Sequence, residues 1–223
     1  MTVRIICDFD GTIAEQDMIT SIMRAFVPTE SAPLIAAVQA GELSVRKGVE
    51  QMFALIPAEK YPQVVAFAQA HTVVRAGFEA FIHRCSELGW PVTVVSGGFD
   101  FFVEPVIQQL STPVDVYCNQ IEHNGSHLAV RWAVDCDAAC EGGCGLCKPS
   151  VMRQLQAGGT KFVVIGDGVT DFKAAQAADY VFARASLLDL VRRRQMPASS
   201  FETFYDVIQV IDDGGSELYA HIS

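Results

Sequence analysis

Three small clusters of carboxylates, glycines and a hydroxyl, together with one of thiols, carry the chemistry that this 223-residue sequence can perform. The first cluster is Asp8-Phe9-Asp10-Gly11-Thr12, directly after the apolar run Val3–Cys7. A run of that kind has the composition of a fully buried strand. Two carboxylates two residues apart face the same way while the backbone stays extended, and Gly11 then lets the chain turn away. Like charges held that close call for a positive partner, and a hard, oxygen-liganded cation supplies one. The second cluster is Ser96-Gly97-Gly98 after the apolar run Pro91–Val95. A hydroxyl and two glycines before a helix present O–H and backbone N–H groups to an anion. The third is Gly166-Asp167-Gly168-Val169-Thr170-Asp171 after Lys161–Ile165, with two acidic side chains at a strand end and helix start.

The thiols form a fourth group, Cys136, Cys140, Cys144 and Cys147. Four soft ligands within so short a stretch, with Gly142, Gly143 and Gly145 free to turn tightly, suit an all-cysteine metal site. A structural zinc ion is one reading. An iron–sulfur site and a packed or redox-sensitive cysteine loop are others, because the spacing is not that of paired CxxC knuckles.

The elements that must position these groups are legible from periodicity. Strands at 3–7, 91–95, 161–165 and 179–182 alternate with helical segments, which predicts an α/β fold with an open parallel sheet and right-handed crossovers. Ligands in such sheets bind beyond the carboxyl ends of the strands, where the first three clusters all lie. Residues 114–118 form a further strand candidate, and Gln120–His123 with His127–Trp132 flank Asn124-Gly125, a type I′ hairpin signal. Between the first strand and Gly77 no strand pattern appears. Helices are expected from about Ile19 with Asp17 as N-cap, at 32–40, at 44–55 capped by Ser44, and at 58–70. Further helices are expected at 77–88, 99–110, 149–156, 187–194 and 201–211.

Composition narrows the function class. The net charge of −10, from 16 basic and 26 acidic residues, argues against sequence-independent nucleic-acid binding. Arg192-Arg193-Arg194 is the only basic run. No apolar stretch approaches the roughly 18 residues of a membrane span, and no signal-peptide pattern opens the chain, so a cytoplasmic location is expected. An odd count of seven cysteines favours reduced thiols or metal ligands over a disulfide framework. Oligomeric state is not readable from the sequence.

The Asp-x-Asp-x-Thr string Asp8–Thr12 resembles the first motif of the haloacid dehalogenase-like superfamily, and Ser96, Lys148 and Asp167/Asp171 match its other three motifs. The resemblance implies a Rossmann-like core of residues 1–13 and 78–223, a helical cap of residues 14–77 inserted after the first strand, and a small hairpin and cysteine-rich excursion. It implies Asp8 as nucleophile and Asp10 as general acid/base. Lys148 would offset the charge of the nucleophile and the phosphate. Ser96, Gly97 and Gly98 would bind the phosphoryl group. Asp8, Asp10, Asp167 and Asp171 would hold Mg²⁺. Asp17 and, in the cap, Arg46 are the expected substrate contacts, with Lys47 as a second cap cation.

Dehalogenases of the superfamily generally lack the second aspartate of the first motif, so Asp10 speaks for phosphoryl transfer. Asp8–Thr12 with Asp17, Leu43–Val49, the Cys136–Lys148 stretch and Phe201–Val207 are similar to one family in particular, the 2-hydroxy-3-keto-5-methylthiopentenyl-1-phosphate phosphatases of methionine salvage, relatives of phosphoserine phosphatases. That resemblance implies a small phosphorylated metabolite as partner. Phosphoserine, phosphocholine or phosphoethanolamine are the alternative substrates, and a non-catalytic phospholigand-binding module is the alternative class.

Overall fold

Val3, Ile5, Ile6 and Cys7 are all buried, and a strand whose two faces are both apolar must lie inside a sheet covered on both sides. The computed structural model describes residues 2–223 and places this strand, β1 (Thr2–Cys7), at the middle of a seven-stranded sheet. The helices α1 (Met18–Phe26), α2 (Pro28–Gln39), α3 (Val45–Ala54) and α4 (Tyr61–His71) follow it, and α5 (Phe78–Glu87) leads into β2 (Val92–Phe99). Next come α6 (Asp100–Ile107), β3 (Asp115–Asn124), β4 (His127–Arg131), α7 (Lys148–Leu155) and β5 (Thr160–Gly166). The chain finishes with α8 (Phe172–Ala175), β6 (Tyr180–Ala183), α9 (Ala185–Arg193), β7 (Ala198–Ser200), α10 (Phe204–Asp212) and α11 (Ser216–Ile222).

The strand order is β4-β3-β2-β1-β5-β6-β7, parallel throughout except for the antiparallel β3–β4 pair. This is the expected α/β, Rossmann-like sheet. Successive side chains of β1 leave opposite faces. Ile5 and Cys7 join Phe78, Phe81 and Phe204 from α5 and α10, while Ile6 joins Val151, Met152 and Ala174 from α7 and α8. Cys7 is in register with Val94 of β2 and Ile165 of β5, so the three chains leave the sheet side by side. Chain direction across the sheet reverses on either side of β1, and the crevice formed there is where such sheets bind ligands.

Helices α1–α4 pack on one another, α3 lies against β4 and α4 against α6. Asp17 caps α1 by accepting the Thr20 N–H at 2.9 Å, and Ser44 caps α3 through the Lys47 N–H at 3.3 Å. The second helix begins at Pro28 instead of 32, because proline at the first helical position has its φ already set and no N–H to leave unpaired. The chain enters and leaves this helical segment through adjacent backbones, with Glu15 N–H donating to Val73 O and Arg75 N–H to Ile13 O.

Three expectations are corrected. The separate strands at 114–118 and 120–123 are one, β3, whose first half pairs with β2 and whose second half pairs with β4. The hairpin turn is centred on Gly125-Ser126, and only Gly125 has positive φ (63°), so a type I′ turn, which needs two such residues, is not formed. Ser96-Gly97-Gly98 lies within β2, which continues to Phe99 past an irregularity in its pairing with β3.

Candidate active site

The aspartates that end β1 meet the acidic loop after β5 across the crevice. Asp8, Lys148 and Asp171 form a buried row in which the Lys148 ammonium donates to Asp8 Oδ1 at 2.5 Å and to Asp171 Oδ1. Lys148 is delivered by α7, with Cys147 in the N-cap position and Pro149 in the first turn. Burial alone would lower the Lys148 pKa, but the two carboxylates outweigh it and hold the ammonium charged.

Asp171 is fully committed. Its second oxygen accepts the Asp167 and Gly168 N–H groups at 3.1 and 3.0 Å, and its side chain is wholly buried. Asp171 thus seats Lys148 and shapes the loop, and its carboxylate also lies with those of Asp8 and Asp167 in a group close enough to share a cation, although it does not itself line the cavity. Asp167 does line it, with Oδ1 accepting the Thr12 hydroxyl at 3.2 Å.

Asp10 Oδ1 accepts the Met18 N–H at 2.9 Å, which ties the carboxyl to the start of α1. The Asp8, Asp167 and Asp171 carboxylates have oxygens within 4.8 Å of one another, a group that does not include Asp10.

Burial, then the neighbouring Asp171, pushes the Asp8 carboxyl well above its ordinary value, with Lys148 opposing. Burial and then Asp17 push Asp10 up to about 8, and burial and then Asp171 push Asp167 up to about 6. Four carboxyls thus gather around one ammonium, and three of them resist ionisation. The donor set is hard oxygen, buried and short of positive charge. It fits a divalent cation such as Mg²⁺, held by Asp8 and Asp167 with room for phosphate oxygens.

In magnesium-free buffer the folded protein should therefore lose stability as pH rises from about 4 to about 8. In that window folded Asp8, Asp10 and Asp167 keep protons that the unfolded chain has released, so the unfolding free energy declines with pH. Asp167 alone is worth about 1–3 kcal/mol, allowing for its partial exposure. Urea unfolding at pH 5 and pH 8.5 should show the loss, and excess Mg²⁺ should reverse most of it.

Backbone carbonyls around Gly11 are clamped by two arginines that the sequence did not single out. Arg75, buried, donates to Thr12 O at 2.7 Å, Gly11 O at 3.0 Å and Glu202 O at 3.1 Å, while Arg184 reaches Gly11 O at 2.7 Å. Gly11 has φ +76°, and a Cβ there would stand 2.3 Å from Asp167 Oδ2. The close approach of the two acidic loops requires glycine.

The glycines of β2 divide between roles. Gly97 lines the cavity, whereas the Gly98 N–H donates to Ser96 Oγ at 2.9 Å. The expectation of Gly98 as a phosphate donor is corrected: its amide is already paired. Its lack of a side chain matters instead, because a Cβ would lie 2.5 Å from Asp10 Oδ2. Ser96, next to the cavity-lining Gly97, is fully buried, and among the described residues its own O–H donates to nothing.

Beyond these groups opens a cavity of about 530 Å³. Asp8, Asp10, Lys148 and Asp167 occupy one part of it; Ile19, Ile35, Val38, Val45, Val49 and Met52, from α1–α3, line another. Asp17 lines it as well as capping α1.

Arg46 does not line the cavity. Its guanidinium pairs with Asp135 at 2.6 Å and Glu50 at 3.8 Å and lies 5.0 Å from the Trp132 ring centroid, so the substrate contact expected of it is corrected. Lys47 is exposed and also outside the cavity. Arg46→Ala should change KM by less than about twofold and lower stability by about 1 kcal/mol, measurable by steady-state kinetics and urea unfolding.

The four cysteines converge as expected, with all Sγ atoms within 4.8 Å of one another and Cys140 3.8 Å from Cys144. Their loop forms a further part of the cavity wall through Gly142–Leu146.

Residues 5–176 match the family model described as haloacid dehalogenase-like hydrolase. The chain belongs to this family. Among similar proteins, one from Exiguobacterium sibiricum is 41% identical over 221 residues, covering 99% of this chain and 100% of that protein. One from Geobacillus kaustophilus is 42% identical over 205 residues, covering 92% and 93%. Both are named 2-hydroxy-3-keto-5-methylthiopentenyl-1-phosphate phosphatase. Among solved structures, a substrate-bound phosphoserine phosphatase complex aligns with a TM-score of 0.70 at 20% identity, covering 94% of this chain and 98% of that one. A phospho-aspartyl intermediate analogue of phosphoserine phosphatase aligns at 0.69 with 21% identity, covering 95% and 97%. These two share the fold.

Proposed function

We propose that this phosphomonoester hydrolase transfers a phosphoryl group to Asp8 and then to water, and that its substrate is 2-hydroxy-3-keto-5-methylthiopentenyl-1-phosphate. An Asp8 carboxylate oxygen attacks phosphorus as the bond to the leaving oxygen breaks, and protonated Asp10 gives its proton to that oxygen. Asp10, now a carboxylate, takes a proton from the water that attacks the phosphorus of the Asp8 acyl phosphate. The Asp8–phosphorus bond breaks, free phosphate leaves and Asp8 is restored. Lys148 offsets the charge of Asp8 and the incoming phosphate, and Ser96 and Gly97 position the phosphoryl oxygens. Asp8, Asp167 and the Asp10 carbonyl would hold Mg²⁺, which when bound stabilises the charge developing on the transferred group. Residues 14–77 act as the cap that covers the reacting groups.

The observation that carries the substrate choice is the apolar wall built by Ile35, Val38, Val49 and Met52 beside the carboxylates. A methylthio chain buries apolar surface against that wall, whereas the ammonium and carboxylate of phosphoserine would gain nothing from it. Arg46, the cap cation suited to a substrate carboxylate, is occupied by Asp135 and Glu50. The names of the relatives at 41% and 42% identity agree with this reading. Phosphate release from the methylthiopentenyl phosphate, phosphoserine, phosphocholine and phosphoethanolamine, with and without Mg²⁺, provides the test. A Mg²⁺-dependent kcat/KM at least about 100-fold higher for the first substrate is expected. Preference for phosphoserine would overturn the substrate assignment, and turnover independent of Mg²⁺ would overturn the cation's role.

A further inference from the structure

Residues 132–147, between β4 and α7, contain no helix or strand, yet they form a wall of the cavity and lead directly into Lys148. A segment of this length without secondary structure needs another source of order. Its outer part is tied by Asp137, whose carboxylate takes two Arg153 N–H bonds at 2.6 and 2.5 Å and whose N–H reaches Ser150 Oγ at 3.2 Å. The inner part, where the four thiols lie, has few such ties: Gly143 O accepts the Arg46 N–H and Gly145 O the Asn119 amide.

Packed thiols lose hydration and gain only weak S–H contacts, so four of them turned toward one point are poor glue by themselves. Around a tetrahedral ion with bonds near 2.3 Å, sulfurs lie about 3.8 Å apart. Cys140 and Cys144 are at 3.8 Å, and no pair in the group exceeds 4.8 Å. That spacing suits one ion, since a cluster of several irons would hold its thiolates farther apart. Gly142 and Gly143, with φ of 88° and 80°, let the chain fold back between Cys140 and Cys144.

We infer that Cys136, Cys140, Cys144 and Cys147 bind one Zn²⁺ ion, which staples the 136–147 loop into the cavity wall next to Lys148. The inference does not depend on which phosphate ester is cleaved. The four thiols bind as thiolates and release their protons.

The test is metal analysis of the full-length protein purified without chelator, followed by Co²⁺ substitution. One zinc per chain is expected, together with thiolate-to-Co²⁺ charge-transfer bands, which carboxylate ligands do not give. Cys140→Ser should lose the bands and most of the zinc, while Cys118→Ser, outside the group, should keep both. Because Cys140→Ser could also fail to fold, hydrogen exchange on the wild type with and without zinc provides a second readout. Removing the ion should accelerate exchange at 136–147 at least about tenfold and leave β1 and β5 protected. The inference is overturned by a zinc-supplemented protein that holds no metal, by a Cys140–Cys144 disulfide in the protein as purified, by bound iron, or by zinc retained in Cys140→Ser.

Discussion

Asp8→Asn should lower kcat by at least about 10⁴-fold and leave the protein folded. Asparagine keeps the shape of the side chain but has no anionic oxygen with which to attack phosphorus. Asp8 lies against Lys148 in a buried setting where its charge is opposed by burial and by Asp171. Removing that charge relieves repulsion, so stability in magnesium-free buffer at pH 8 should stay level or rise. Single-turnover kinetics and urea unfolding on the same preparation separate the two effects. A variant retaining more than about a hundredth of wild-type kcat would move the nucleophile away from Asp8.

Lys148→Met should be damaging in a different way. It removes the ammonium that Asp8 and Asp171 share and leaves two buried carboxylates facing one another. Breaking a buried ionic group by deleting one partner costs about 3–5 kcal/mol, and loss of a positioned charge at the transferring group lowers kcat about 10²–10³-fold. The stability loss should be greater at pH 8 than at pH 5, because at lower pH protonation of a carboxyl removes the repulsion. Urea unfolding at the two pH values reads this directly. An equal loss at both would mean that Lys148 contributes packing and no charge compensation.

The aspartates of the candidate site were legible because each is marked locally. Asp8 and Asp10 follow a run of buried aliphatic residues, Asp167 and Asp171 sit among glycines after another, and strand register brings the two loops together. Lys148 carries no local mark beyond its place at a helix start, and the resemblance to family motifs singled it out. Arg75 and Arg184 were illegible for a physical reason: they bind backbone carbonyls of residues 11 and 12 from far along the chain, and carbonyl acceptors leave no trace in a sequence. The direction of Arg46 depends on Trp132 and Asp135, which reach it only when β4 packs on α3. Gly98 could be read as an anion donor because its amide's actual partner, Ser96 Oγ, appears only once β2 runs straight through the motif. Strand β7 is three small residues, Ala198–Ser200, with no alternation to detect.

The central claim is covalent phosphoryl transfer to Asp8. Rapid acid quenching during turnover of a phosphate-labelled ester, followed by peptide mapping, tests it most directly. The account predicts a transient, hydroxylamine-labile label on the peptide that carries Asp8, absent from Asp8→Asn. Normal turnover with no protein-bound label at any quench time, or a label on another residue, would contradict it.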